Sequence, residues 1–190
     1  MRRMSRTVCA VFAAALVMAV AVAPALAEPI IHDVRPGYGV TGIGWISDYH
    51  APLRGSAVDT RVYYLDSKVE GPTTLVLGGT HSNEIAGIMA ATLLVERAVV
   101  TTGRLIVVPY ANASGASYAD TYHPEIGYYS LTTESGVRVF RYGDRLTNPE
   151  HQGPDADKYI HYPSGQEFPG YEARNLDRAH PGKADGNLTQ

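Results

Sequence analysis

The sequence predicts an α/β fold built on a strand, helix, strand unit, and three observations carry that reading. Thr73 to Leu77 (TTLVL) is a mostly apolar run bounded by turn residues, and Leu105 to Val108 (LIVV) is another; such short runs fit buried strands. Between them, Glu84 to Val100 is rich in Ala, Leu, Ile and Met, with Ile85, Ile88, Met89 and Leu93 at helical spacing. A strand, a helix and a strand within about 40 residues form a βαβ unit, with Leu75 and Ile106 expected in parallel strands of a mostly buried sheet.

The elements around that unit follow in chain order. Residues 1–27 read as an export signal: Arg2, Arg3 and Arg6 precede an apolar run from Val8 to Ala23, and Pro24-Ala25-Leu26-Ala27 fits a signal peptidase site. Cleavage after Ala27 implies a secreted or periplasmic protein with no membrane attachment. The competing reading, a transmembrane anchor, needs roughly 20 apolar residues, more than this run supplies. Cys9 is the only cysteine and lies inside the signal, so the mature chain has neither disulfides nor thiolate ligands. Any metal must be held by His, Asp, Glu and water. Residues 28–190 carry 13 basic and 19 acidic side chains, a net charge of −6 that argues against a nucleic-acid partner.

Residues 28–56, with scattered Gly and Pro, read as an edge segment, and Arg61 to Leu65 (RVYYL) reads as a β-branched and aromatic strand. From 112 to 173 no period is sustained, and Tyr, Gly, Pro, Asp and His crowd the segment. A stretch of that length without elements is unusual, and it is too aromatic for a typical disordered linker. We read it as an ordered, Tyr-rich insertion lining or covering a site, through Tyr122, Tyr128, Tyr142, Tyr159 and Tyr171; a mobile surface excursion is the alternative.

Two constellations carry chemistry. His81 and Glu84 lie in LGGTHSNEIAG, directly after the second strand and at the helix start. Ligands collect at the carboxyl ends of parallel strands. A spacing of three puts an imidazole and a carboxylate, both zinc donors, on one face of a helical turn. Gly78 and Gly79 allow a sharp turn and leave room beside an ion, and Ser82 or Asn83 can cap the helix. An ordinary helix start with an acidic first turn is the alternative. The second constellation is EARNLDRAHPG, Glu172 to Gly182, where Arg174 and Arg178 offer planar forks for carboxylates and Asn175 or Asp177 can orient them or a substrate. A solvated turn with surface ion pairs is the plain reading of the same residues.

Together, in this order, the two segments resemble the succinylglutamate desuccinylase and aspartoacylase group of the zinc carboxypeptidase-like superfamily. That family carries Gly-Gly-Thr-His-x-x-Glu after a strand, its His and Glu being zinc ligands, matched here by His81 and Glu84. It also carries Asp-x-Asn-Arg with an aromatic residue and Pro-Gly following, matched here by Asn175, Leu176, Asp177 and Arg178 before His180, Pro181 and Gly182. The resemblance implies a mixed sheet flanked by helices. It also implies a Zn2+-dependent hydrolase cleaving an amide bond, of deacylase or carboxypeptidase type, acting on a small carboxylate-bearing or peptide substrate. Asn175, Asp177 and Arg178 would bind that substrate. The family's carbonyl-polarising Arg lies upstream of the second motif, and Arg145 in YGDRLTNP is the candidate, with Arg141 behind it.

The match departs where Asn and Asp are exchanged around Leu176 and where His180 replaces an aromatic residue. A carboxylate at 177 repels the acidic substrates that Asn would bind. The family's third ligand, a His, and its general base, a Glu, lie C-terminal to the second motif, and this chain stops 12 residues past Arg178. The expectation is therefore a partial domain over 28–190, truncated at its C-terminus, inactive as it stands and with an open sheet edge and an uncovered apolar face. His123, His151, His161 and His180 lie in the insertion or in a turn and are poor substitutes for the third ligand. A non-catalytic secreted module binding peptides or cell-wall fragments is the second functional reading. No Gly-x-Ser-x-Gly elbow or phosphate-binding loop is present.

Overall fold

The computed structural model describes residues 33–125 and 127–190, so the export-signal reading of residues 1–27 falls outside the described part. Strands β1 (Gly42–Trp45), β2 (Arg61–Asp66), β3 (Thr73–Leu77) and β4 (Arg104–Val108) form one sheet in the order β1-β2-β4-β3. β1 and β4 each pair antiparallel with β2, while β3 and β4 run parallel with Leu75 opposite Ile106. The sheet is mixed, and the expected parallel pair is present at the expected residues.

Helix α1 (Ile85–Arg97) makes the crossover between β3 and β4. Its Ala91 and Val95 pack against Tyr63 and Leu65 of β2 and Val107 of β4. Fully burying Leu65, Val95 and Val107 contributes about 1.5–3 kcal/mol each. The buried stripe of the helix is Ile88, Ala91, Thr92 and Val95; Leu93, assigned to it from spacing, is exposed. Gly78 lets helix and strand approach, because a Cβ there would lie 2.6 Å from the Ala91 Cβ and 2.7 Å from the Gly87 carbonyl. The space it leaves belongs to the helix and not, as the sequence suggested, to an ion.

The expectation of a mostly buried sheet needs correction. Strand alternation puts Val76 toward α1 and Leu75 and Leu77 on the opposite face, where they are 59% and 40% exposed. β3 is also an edge strand, so its outer backbone groups and one apolar face stand open, as an unprotected edge does.

Residues 112–173 contain two hairpins. β5 (Tyr128–Thr133) pairs with β6 (Gly136–Arg141), and β7 (Lys158–Ile160) pairs with β8 (Glu167–Pro169). Between them the short helix α2 (Pro149–Gln152) starts at Asn148, whose side chain accepts a hydrogen bond from the Glu150 N–H. The first hairpin is tied to the core by Phe140, which clusters with Tyr110, Ala116 and Ile88. Arg138 adds a polar tie, bonding both Glu96 of α1 and Asp33. The aromatics are divided: Tyr159 is buried, whereas Tyr122, Tyr128 and Tyr171 are exposed. Among the described residues no helix is long and apolar enough to cross a membrane.

Candidate functional site

The loop from Gly78 to Glu84 is fixed by backbone pairing before any side chain matters. The Gly78 and Gly79 carbonyls accept hydrogen bonds from the Ala111 and Asn112 N–H groups, and Ser82 exchanges two backbone bonds with Gly143 and Asp144. Gly79 turns the chain at a φ of +63°, a conformation that favours glycine. Neither expected cap of α1 serves as one. The Ser82 hydroxyl donates to the Asn112 carbonyl and Asn83 donates to the Asp120 carboxylate, so both tie the loop to the insertion, and Glu84 occupies the cap position without a side-chain bond.

This loop delivers His81 and Glu84 to one point. His81 is only 4% exposed, and its Nδ1 lies 2.9 Å from Glu84 Oε1. On its other side, Nε2 lies 3.1 Å from Asn175 Oδ1 and 3.2 Å from Asp177 Oδ2. The two constellations, 94 residues apart in sequence, thus meet at one imidazole.

Asn175 fixes what the Nε2 side of that ring faces. It is fully buried, its Nδ2 donates to Glu172 Oε2 at 2.7 Å, and its Oδ1 accepts the Asp177 N–H at 3.0 Å. Two independent partners therefore fix which end of the amide faces His81, and the end facing it is an acceptor. Both ring nitrogens therefore face oxygen acceptors, Nε2 those of Asn175 and Asp177 and Nδ1 that of Glu84, and imidazole nitrogen and carboxylate oxygen are both donor types for zinc.

Arg178 sits on the same network. Its guanidinium lies over the Phe168 ring, 5.1 Å from the centroid, and its Nε is 3.5 Å from Glu172 Oε2. With the side chain 40% exposed, the fork is braced and open. Arg174 is spent on structure: it pairs with both oxygens of Asp155 at 2.8 and 3.0 Å and donates to the Thr147 carbonyl at 2.7 Å. The Asp155 bonds raise its pKa against the opposing effect of burial.

The two candidates upstream separate in the same way. Arg141 donates to the Ala116 and Gly127 carbonyls and covers the Tyr128 ring, so its fork is occupied. Arg145 follows Asp144, whose carbonyl accepts the Ser82 N–H next to His81. It is partly buried, and its side chain has no hydrogen bond or ion pair among the described residues.

Of the other candidate histidines, three are engaged elsewhere and His180 is exposed, meeting its neighbours through its carbonyl. His123 meets Asp120, His151 meets the Ser114 hydroxyl, and His161 meets Ser164 and the His180 carbonyl. Among the described residues no group of three or more His, Cys, Asp or Glu side chains is disposed to hold a metal ion, so the fit to a metal rests on the His81 and Glu84 pair. A cavity of about 400 Å³ between Tyr159, His161, Tyr162 and Lys183 includes none of the site residues.

Sequence reasoning missed Glu172 as the residue that orients Asn175, although its position three residues earlier was a usable signal. It also missed Asp120. Burial works to raise the pKa of that carboxylate, but hydrogen bonds from the Tyr122 N–H, His123, Asn83 and Tyr142 hold it below the ordinary value. Asp120 binds Asn83 to the insertion across 37 residues, a relation no local pattern encodes. The chain matches no protein-family model, no curated protein and no solved structure.

Proposed function

We propose that the protein is a zinc-dependent amide hydrolase of deacylase or carboxypeptidase type, with His81 and Glu84 as metal ligands. The observation that carries this is the meeting of the His81 imidazole and the Glu84 carboxylate, 2.9 Å apart, in the loop that follows β3. A bound zinc ion would polarise an acyl oxygen and acidify a water. The chain's own side chains do the remaining work. Asn175 and Asp177 hold the ring through Nε2, the outer contact that orients a ligating histidine. Glu172 holds Asn175, Arg178 offers its open fork to a substrate carboxylate, and the unpaired Arg145 is available to charge developing on the acyl oxygen.

The test is zinc uptake by the purified chain, measured by isothermal titration and elemental analysis. Stoichiometric zinc that is lost in His81→Ala and strongly weakened in Glu84→Gln supports the reading. Uptake unchanged in both variants, or no uptake at all, ends it. A second reading is a secreted binding module on the same scaffold, capturing peptides or cell-wall fragments. Its ligand capture would be insensitive to a chelator, whereas a chelator-sensitive hydrolytic rate would rule it out.

A further inference from the structure

We propose that the cavity between the β7–β8 hairpin and residues 183–190 binds a small monocarboxylate with an apolar body, at a place separate from the His81 site and independent of any metal there. Three observations lead to it.

First, the space has the size of a ligand site. Its volume is about 400 Å³, within the range that small-molecule pockets occupy. Ile160, Tyr162 and Pro163 of the hairpin line it together with Lys183, Asn187 and Gln190.

Second, the walls are held by bonds of their own. His161 lies 2.6 Å from the Ser164 hydroxyl through Nδ1 and 2.7 Å from the His180 carbonyl through Nε2, and the Tyr159 hydroxyl donates to the Arg178 carbonyl. Asn187 Oδ1 accepts the Thr189 and Gln190 N–H groups, and its Nδ2 donates to the Ala173 carbonyl. Gln190 Oε1 accepts the Asn187 N–H in return. A lining fixed in this way loses little further freedom when a ligand enters.

Third, the polar groups left over are donors. Lys183 lines the cavity with no Asp, Glu or Arg beside it among the described residues. Its ammonium is 3.3 Å from Asp185, a side chain 83% exposed and outside the lining, and a pair so open to solvent is weak. The Tyr162 hydroxyl has no hydrogen bond among the described residues. An ammonium and a phenolic hydroxyl both donate to a carboxylate, while Pro163 and the half-exposed Ile160 offer apolar surface to the rest of the molecule.

Three probes of one shape separate the charge from the apolar contact: 3-phenylpropionate, its amide 3-phenylpropionamide, and 3-phenylpropylamine. Binding to the full chain is followed by backbone amide NMR shifts at neutral pH and low salt. The acid is expected to bind about tenfold more tightly than the amide, the size of one charge-assisted hydrogen bond, with the amine weakest and the shifts centred on residues 160–163 and 183. Lys183→Met keeps an apolar stem at a partly exposed position and should bring acid and amide level. Tyr162→Phe keeps the ring and should weaken the acid alone, and His81→Ala should leave all three probes unchanged. No shift with millimolar acid, equal binding of acid and amide, preference for the amine, a preference that survives Lys183→Met, or shifts centred on His81 would each overturn the proposal. Zinc uptake is read on a separate sample, so failure of either reading leaves the other standing.

Discussion

Arg174 and Arg178 stand four residues apart in one motif, and their fates are opposite. Arg174 is buried and its donors are consumed by Asp155, Thr147 and Tyr118, while Arg178 is half-open, with a ring beneath it and one long contact to Glu172. Arg141 and Arg145, also four residues apart, repeat the contrast: the first is occupied by the Ala116 and Gly127 carbonyls, and the second has no side-chain partner among the described residues. A guanidinium whose partners are all internal holds the fold together. Arg178, by contrast, leaves part of its fork exposed.

Breaking the saturated partners should cost the most. Arg138→Met strips the largely buried Glu96 and Asp33 of their shared cation and is expected to lower stability by about 3 kcal/mol in urea unfolding. Arg174→Met should follow at about 2–3 kcal/mol, reduced because Asp155 is partly exposed. If Arg178→Met destabilised the chain as much as Arg174→Met, the distinction between structural and ligand-ready arginines would be lost.

Asn175→Ala removes the residue that joins the two classes. It leaves the Glu172 carboxylate without its amide donor and His81 Nε2 with Asp177 as its remaining partner among the described residues, at an expected cost of about 1–3 kcal/mol. Zinc affinity should fall as well, by roughly 10-fold or more, since the ring loses an orienting contact. A stability loss with unaltered zinc affinity would make Asn175 a packing residue alone.

Acid sharpens the comparison from the carboxylate side. Burial works to raise the pKa of Asp33, but bonds from Arg138, Arg35 and the Val139 N–H hold it below the ordinary value, and Asp120 is lowered by its own donors. A carboxylate depressed in the folded state contributes stability above its unfolded pKa of about 4 and loses it as pH falls through the lower folded value. The melting temperature should therefore hold from pH 7 to about 5 and drop below about 4, and the drop should shrink in Arg138→Met. A profile identical in that variant would detach the acid sensitivity from this network. The smallest stability effect is expected on the bare face of the sheet. Leu75→Lys should change stability by about 0.5 kcal/mol or less while reducing self-association seen by sedimentation.

Much of the βαβ unit was legible because its signals are local. β3 was read to the residue, and Leu75 does pair with Ile106. The closeness of His81 and Glu84 was also legible, because two side chains three residues apart beside a helix start can reach each other, although backbone bonds to Ala111, Asn112, Gly143 and Asp144 fix the loop that carries them. The exposure of Leu93 and of the outer face of β3 was not, because periodicity identifies an apolar side without saying what covers it. The β5 and β6 hairpin was missed although Glu134-Ser135, followed by Gly136, separates two β-prone runs, a turn signal hidden in a segment judged irregular as a whole.

The sequence by itself determined the order of the strands and helix along the chain, the glycine that permits the sharp turn at position 79, and the nearness of an imidazole to a carboxylate, since each depends on neighbours within a few residues. Only the tertiary structure decided which arginines are spent, that Ser82 and Asn83 tie the loop to the insertion rather than cap α1, and that Asn175 and Asp177 close on Nε2. Those outcomes depend on which distant donor meets which acceptor, and hydrogen-bond saturation is settled in space rather than along the chain.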